Sequence, residues 1–247
     1  MTATASHDRV WASTFLGAAS RQWTVIAAAL FLGTAAVQLT ASLQRWVYLR
    51  AEWIRTDSLI EDHRFDYSYP ADPWENVGSA AQLFGAGLIL LALGMLALAR
   101  ASQRADGRST QVAAVVVAVA FGITGMHAVV SGLAGVPSPA QYLPVQLILS
   151  ILQILGLLYL CLRWLTVSWA ATLACVFLLG STLPGYLAAT FVIAPAIAGY
   201  QSYDTTPWTE TIVAATTALA GIWLLIAVGI APLRTASSRT RAVRASA

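Results

Sequence analysis

From Ser109 to Leu162 the chain reads STQVAAVVVAVAFGITGMHAVVSGLAGVPSPAQYLPVQLILSILQILGLLYLCL, without one Arg, Lys, Asp or Glu. The hydrocarbon core of a bilayer, about 30 Å thick, is crossed by roughly 20 apolar residues in a helix, so this stretch holds two crossings. Its break is Gly132-Leu133-Ala134-Gly135-Val136-Pro137-Ser138-Pro139, a run that ends helices. The two spans are therefore Gln111–Leu133 and Pro144–Leu162. A second neutral run, Trp164 to Tyr203 once Arg163 is passed, supplies one long crossing, Trp169–Phe191. Outward from these lie Trp23–Leu43, Pro73–Ala99 and Pro207–Leu233. The spacing predicts an all-α polytopic transmembrane bundle of six spans, with residues 1–247 forming a single membrane domain.

Composition supports that class. The chain is 58% hydrophobic and 10% charged, with a mean hydropathy of +0.69. Soluble domains carry about 25% charged residues. All 14 basic residues are Arg. With the abundant Ala, that bias points to a GC-rich bacterial genome. The arginines sit at the ends of apolar runs, which leaves no basic surface for nucleic acid. Cys161 and Cys175 lie inside apolar segments and form neither a loop staple nor a metal site. The uncharged run 22–44 exceeds the ~7–15 residues of a signal-peptide core, so it is expected to be retained as a span.

Arginine asymmetry orients the bundle. With the N-terminus inside, the cytoplasmic side receives Arg9, Arg21, Arg100, Arg104, Arg108, Arg163, Arg234, Arg239, Arg241 and Arg244 against Asp8 and Asp106. The other side receives four arginines and nine acids. The expected arrangement is a multi-pass protein of the cell membrane with both termini cytoplasmic: an N-terminal segment 1–22, an outer loop 44–72, and an Arg-rich tail 234–247.

The spans resemble one another internally, as three related helical hairpins. Pro73, Pro144 and Pro207 each stand where an inward-running span opens, a position suited to proline's missing N–H. Asp72-Pro73-Trp74-Glu75 has a capping-box pattern, and Thr206-Pro207-Trp208 shares its cap, Pro and Trp. Downstream, Gly87 aligns with Gly221 and Leu90-Leu91 with Leu224-Leu225. Ser79-x-x-Gln82-x-x-Gly85 recurs as Ser150-x-x-Gln153-x-x-Gly156, and Phe31-x-x-Thr34 as Phe121-x-x-Thr124.

Polar side chains inside spans face the bundle interior, where they serve as interhelical glue or line a cavity. The candidates are Gln38, His127, Gln146, Gln153, Thr182 and Tyr186, expected in the outer half or near mid-depth. Ala114, Ala118, Gly122 and Gly125 form a small-residue packing ladder. Pro184-Gly185 falls well inside span five and marks a hinge or kink. His127 is the one titratable side chain expected within the membrane near neutral pH, and the spans hold no carboxylate to partner it. That absence argues against an ion-driven pump.

The outer loop 44–72 is the sizeable soluble segment. Trp46, Leu49 and Trp53 at i, i+3, i+7 predict a short interfacial helix, with Arg45 and Arg50 reaching to headgroups. Beyond it, Asp66, Tyr67 and Tyr69 make an acidic, Tyr-rich contact surface, so Trp46, Trp53, Asp66, Tyr67 and Tyr69 are the candidate partner-binding residues. Glu61, Asp62, His63 and Asp66 do not have the spacing of a metal site.

The chain shows no phosphate loop, metal-ligand helix or nucleophile elbow, so no catalytic residue, cofactor or metal is assigned. The leading expectation is a non-enzymatic membrane subunit. Its partners would be the lipid bilayer and a protein bound through the outer loop and the small-residue helix faces. The alternatives are a carrier of a small neutral or weakly polar solute, and a membrane-embedded enzyme on a lipid-like substrate with His127 as base.

Overall fold

A computed structural model of the chain describes residues 18–49, 64–102, 107–165, 168–201 and 206–245, with side chains from Ser20 to Gly229. Among the described residues the fold is entirely helical. The helices are α1 (Ala18–Leu43), extended by a π-helical turn Gln44–Tyr48; α2 (Ala80–Ser102); α3 (Gly107–Ala134); α4 (Leu143–Trp164); α5 (Trp169–Leu178); α6 (Leu183–Ala188); α7 (Ala194–Ala198); and α8 (Thr209–Ala245). Among the described residues, five helical stretches are long and apolar enough to cross a membrane: Ser20–Tyr48, Ala80–Ser102, Gly107–Ala134, Leu143–Trp164 and Thr209–Gly229. The sixth candidate is a broken pair, Trp169–Ser181 and Leu183–Ala198, bent by 72°. The chain is a polytopic helical membrane protein.

Helices adjacent in sequence pack side by side, and α8 returns to α1, so the bundle closes on itself. Arg21, Arg100, Arg108 and Arg163 are exposed at one end, the arginine end. Residues 64–79 cover the opposite end, the cap end.

Glycines set the closest approaches, as membrane helices require when lipid offers no hydrophobic drive for their association. A Cβ on Gly125 of α3 would lie 2.7 Å from the Gly85 carbonyl oxygen of α2. On Gly87 it would meet Gln38 Cγ of α1 at 2.8 Å, and on Gly221 of α8 the Ala28 carbonyl of α1 at 3.0 Å. The aligned glycines Gly87 and Gly221 therefore bring α2 and α8 onto opposite stretches of one helix. The Ser-x-x-Gln-x-x-Gly echo has a parallel meaning. Gln82 Nε2 donates to the Gly132 carbonyl at 2.7 Å and Gln153 Nε2 to Thr124 Oγ1 at 3.2 Å, while Gly85 and Gly156 both face α3. Both stripes thus clasp α3, one from each side.

Three boundaries differ from the sequence reading. Pro144 does open α4, in its first turn after an extended Tyr142. Pro73 does not open α2, which starts seven residues later at Ala80. The residues of the supposed capping box are held elsewhere: the Asp72 amide donates to Gln141 Oε1 at 3.0 Å and Trp74 Nε1 to the Asp66 carbonyl at 3.0 Å, while the Glu75 carboxylate pairs with Arg64. Gly78, at φ +58°, turns the chain into α2, and Asn76 Oδ1 accepts the Ala81 amide at 3.3 Å. Helix α8 begins at Thr209 rather than Pro207, after Trp208 adopts a φ of +77°. Span five is interrupted rather than kinked: Thr182 is extended, and Pro184 sits in the first turn of a new helix, where its missing N–H does no harm.

Candidate functional site

The candidate site grows from one stripe of α1. Phe31, Thr34, Gln38, Ser42 and Arg45 follow one another at helical spacing and are all buried. Thr34 Oγ1 donates to the Gly87 carbonyl at 3.0 Å, and Ser42 Oγ lies 2.8 Å from Thr211 Oγ1 of α8. At the top of the stripe Arg45 is only 1% exposed, and its Nη1 donates to Glu210 Oε1 at 2.9 Å. Trp46 Nε1 donates to the other Glu210 oxygen at 2.7 Å. Glu210 lies in the first turn of α8, where the helix dipole favours a carboxylate, and it is fully buried.

The cap closes over this pair. Arg45 Cζ stands 4.8 Å from the Trp46 ring centroid and 5.8 Å from that of Tyr67, both cation–π geometries. Tyr67 in turn packs edge-to-face on Phe84 of α2 at 5.7 Å. Asp66 is buried too: its Oδ1 accepts the Ser68 amide at 3.0 Å and the Tyr186 hydroxyl of α6 at 3.1 Å. Tyr69 packs edge-to-face against Tyr186 at 5.5 Å. One guanidinium and two carboxylates are thus enclosed where α1, the cap, α6 and α8 meet.

Burial pushes the Tyr67 phenol well above its ordinary range, Glu210 and Asp66 adding to the push and Arg45 opposing it. Tyr69 is raised likewise, first by burial and then by Asp66. An unfolded tyrosine releases its proton near pH 10, while the folded Tyr67 keeps it. The unfolded state then binds fewer protons, so stability falls as pH rises above about 10. In a melting series from pH 8 to 11, Tyr67→Phe should flatten that decline. An unchanged slope would show that Tyr67 is not the group responsible.

The remaining cap residues are fastened across the whole end of the bundle. His127 Nε2 lies 2.9 Å from the Pro70 carbonyl and Nδ1 lies 2.6 Å from Ser138 Oγ. Both ring nitrogens are therefore engaged within the cap. Gln141 Nε2 donates to Asp72 Oδ2 at 3.3 Å, and Gln44 Nε2 to Ser79 Oγ at 3.1 Å.

The sequence-selected polar residues divide accordingly. Gln146 Nε2 donates to the Ala140 carbonyl at 2.6 Å, Gln153 binds Thr124, and Thr182 Oγ1 donates to the Leu179 carbonyl at 2.6 Å. These three hold turns and helix pairs together. Tyr186 reaches the enclosed cluster. Gln38 is fully buried, and neither amide atom has a hydrogen-bond partner. Pro184 and Gly185 lie just after the break at Thr182, which allows Tyr186 to meet Asp66.

Of the outer-loop residues, Trp46, Asp66 and Tyr67 are buried and Tyr69 is half-buried, so they anchor the cap from within. Trp53 lies outside the described residues, as does most of the expected interfacial helix. Arg45 turns inward to Glu210 instead of outward to headgroups. The expectation of no carboxylate within a span fails at Glu210. Its signal was its place three residues after Pro207, in the first turn of an apolar helix.

Comparison with known protein families, with curated proteins and with solved structures finds no match.

Proposed function

We propose that this chain is a six-span protein of the plasma membrane, with both termini cytoplasmic, acting as a non-enzymatic subunit that docks a partner on its outer face. Arginines at one end of the bundle and acids at the other support the orientation. The observation that carries the docking reading is the rigid fastening of residues 64–79 to α1, α3, α6 and the α3–α4 turn. A segment so held presents Asp72, Pro73 and Glu75, all exposed, without ordering cost on binding. The buried Trp46, Asp66 and Tyr67, with Tyr69, hold that ridge in place. The paired Gly and Gln stripes on α2 and α4 also fit descent from a duplicated hairpin.

The expected result is stoichiometric co-purification of one partner from mild detergent. Asp72→Lys with Glu75→Lys should abolish it while leaving the melting temperature within a few degrees of the parent. A partner retained at full stoichiometry in that folded variant would overturn the reading.

A second reading is a carrier of a small neutral or weakly polar solute. It is favoured by the unpartnered amide of Gln38 and by the broken helix that carries Tyr186. Uptake into proteoliposomes, altered by Pro184→Ala, is the result that would prefer it.

A further inference from the structure

The enclosed cluster at the cap end is short of both charge and hydrogen bonds. Among the described residues it holds one cation, Arg45, against two carboxylates, Glu210 and Asp66. Glu210 is answered by Arg45 and Trp46. Asp66 receives only neutral donors, the Ser68 amide and the Tyr186 hydroxyl. Arg45 acts on both carboxylates, Glu210 first and Asp66 after it, so two buried acids share one guanidinium and a net negative charge is left in an apolar surrounding, which is costly.

Neutral side-chain oxygens lie at the same end of the bundle. The Gln38 amide has no hydrogen-bond partner, although it is fully buried one turn below Ser42. The hydroxyls of Tyr67 and Ser68 meet only other hydroxyls, Ser42 beside the first and Tyr186 beside the second, and each keeps a lone pair to offer. Tyr67 and Gln38 lie against neighbouring positions of α2, Phe84 and Gly87.

The chemistry narrows what fits. The surplus is negative, which excludes an anion. An organic ammonium would need aromatic faces, but those of Trp46 and Tyr67 already receive the Arg45 guanidinium. A divalent ion wants six or more oxygens with several carboxylates among them, and no group of three acidic, His or Cys side chains converges among the described residues. One surplus carboxylate with neutral oxygens suits a single positive charge.

We propose that the cluster binds one monovalent metal cation, with Asp66 balancing its charge and the oxygens of Gln38, Tyr67 and Ser68 supplying ligands. The proposal stands whether the chain docks a partner or carries a solute.

The test is the thermal midpoint of the full chain in mild detergent. It is measured at fixed pH and ionic strength in lithium, sodium, potassium and N-methylglucamine chlorides. One alkali ion should raise the midpoint by about 5–10 °C at a hundredfold excess over its dissociation constant. The shift should vanish in Asp66→Asn and shrink in Gln38→Leu, and persist in Thr40→Ala on the exposed face of α1. Where Asp66→Asn fails to fold, sodium-23 line broadening on the parent and on Gln38→Leu gives the same decision. Equal midpoints in all four salts would overturn the proposal, as would an ion-specific shift that survives in both variants.

Discussion

Arg45→Ala should lower the stability of the bundle by about 3–5 kcal/mol, the range found when one member of a buried ion pair is removed. The substitution leaves the Glu210 carboxylate at 0% exposure between α1 and α8 without its guanidinium, with Trp46 Nε1 still donating to it. Losing the guanidinium also strips the cation from the faces of Tyr67 and Trp46, so the cap loosens at the point where it meets α1. Glu210→Ala should be comparably severe, since it strands Arg45. The decisive comparison is the double variant Arg45→Met with Glu210→Gln. It carries no charge, keeps an acceptor for Trp46, and should recover all but about 1–2 kcal/mol, because well-packed neutral replacements of buried pairs are tolerated. Denaturation in detergent reads all three. If Arg45→Ala costs no more than the double variant, the pair is solvated and the enclosed cluster does not exist as described.

That pair was the least legible part of the chain, and the reason is physical. Hydropathy assigns charge to water, and Arg45 and Glu210 both lie at span ends, 165 residues apart, where water is the default. The hint was local. Arg45 continues the stripe Phe31, Thr34, Gln38, Ser42 at the spacing of one helical face, so the geometry that buries Gln38 also buries it. The helices themselves were legible from charge-free runs, because lipid allows the backbone few other ways to satisfy itself. The Ser-x-x-Gln-x-x-Gly echo is legible as pattern, while its cause, two stripes packed against α3, lies in tertiary contacts. At Pro73 the local pattern misleads, since the helix starts at Ala80. An Asp-Pro-Trp-Glu run has the local chemistry of a helix start, but Gln141, 69 residues on, and the Asp66 carbonyl, 8 residues back from Trp74, compete for its residues. Local propensity yields to such tertiary bonds wherever a loop is packed as tightly as a helix.

The break in span five leads to the second large effect. In Gly185→Ala the added methyl would stand 2.5 Å from Gly180 Cα and 2.7 Å from its carbonyl carbon, and nearer still to the Leu179 carbonyl oxygen. These are backbone atoms of the short 3-10 turn Leu179–Ser181, which is itself tied to α8 by Ser181 Oγ at 2.8 Å from Thr217 Oγ1. No flexible side chain can yield, so α6 must shift against α5. A loss of about 1–3 kcal/mol is expected from overpacking alone. The shift should also carry Tyr186 away from Asp66, and a double-mutant cycle detects that specifically. Tyr186→Phe should destabilise the parent by about 1–2 kcal/mol, as loss of a hydrogen bond to a carboxylate does, and add little in the Gly185→Ala background. Gly122→Ala is the control, since its methyl would meet only Ala92 Cβ at an ordinary 3.7 Å. Strict additivity of Gly185→Ala and Tyr186→Phe would mean that the bend does not position Tyr186, and that the cap is held without it.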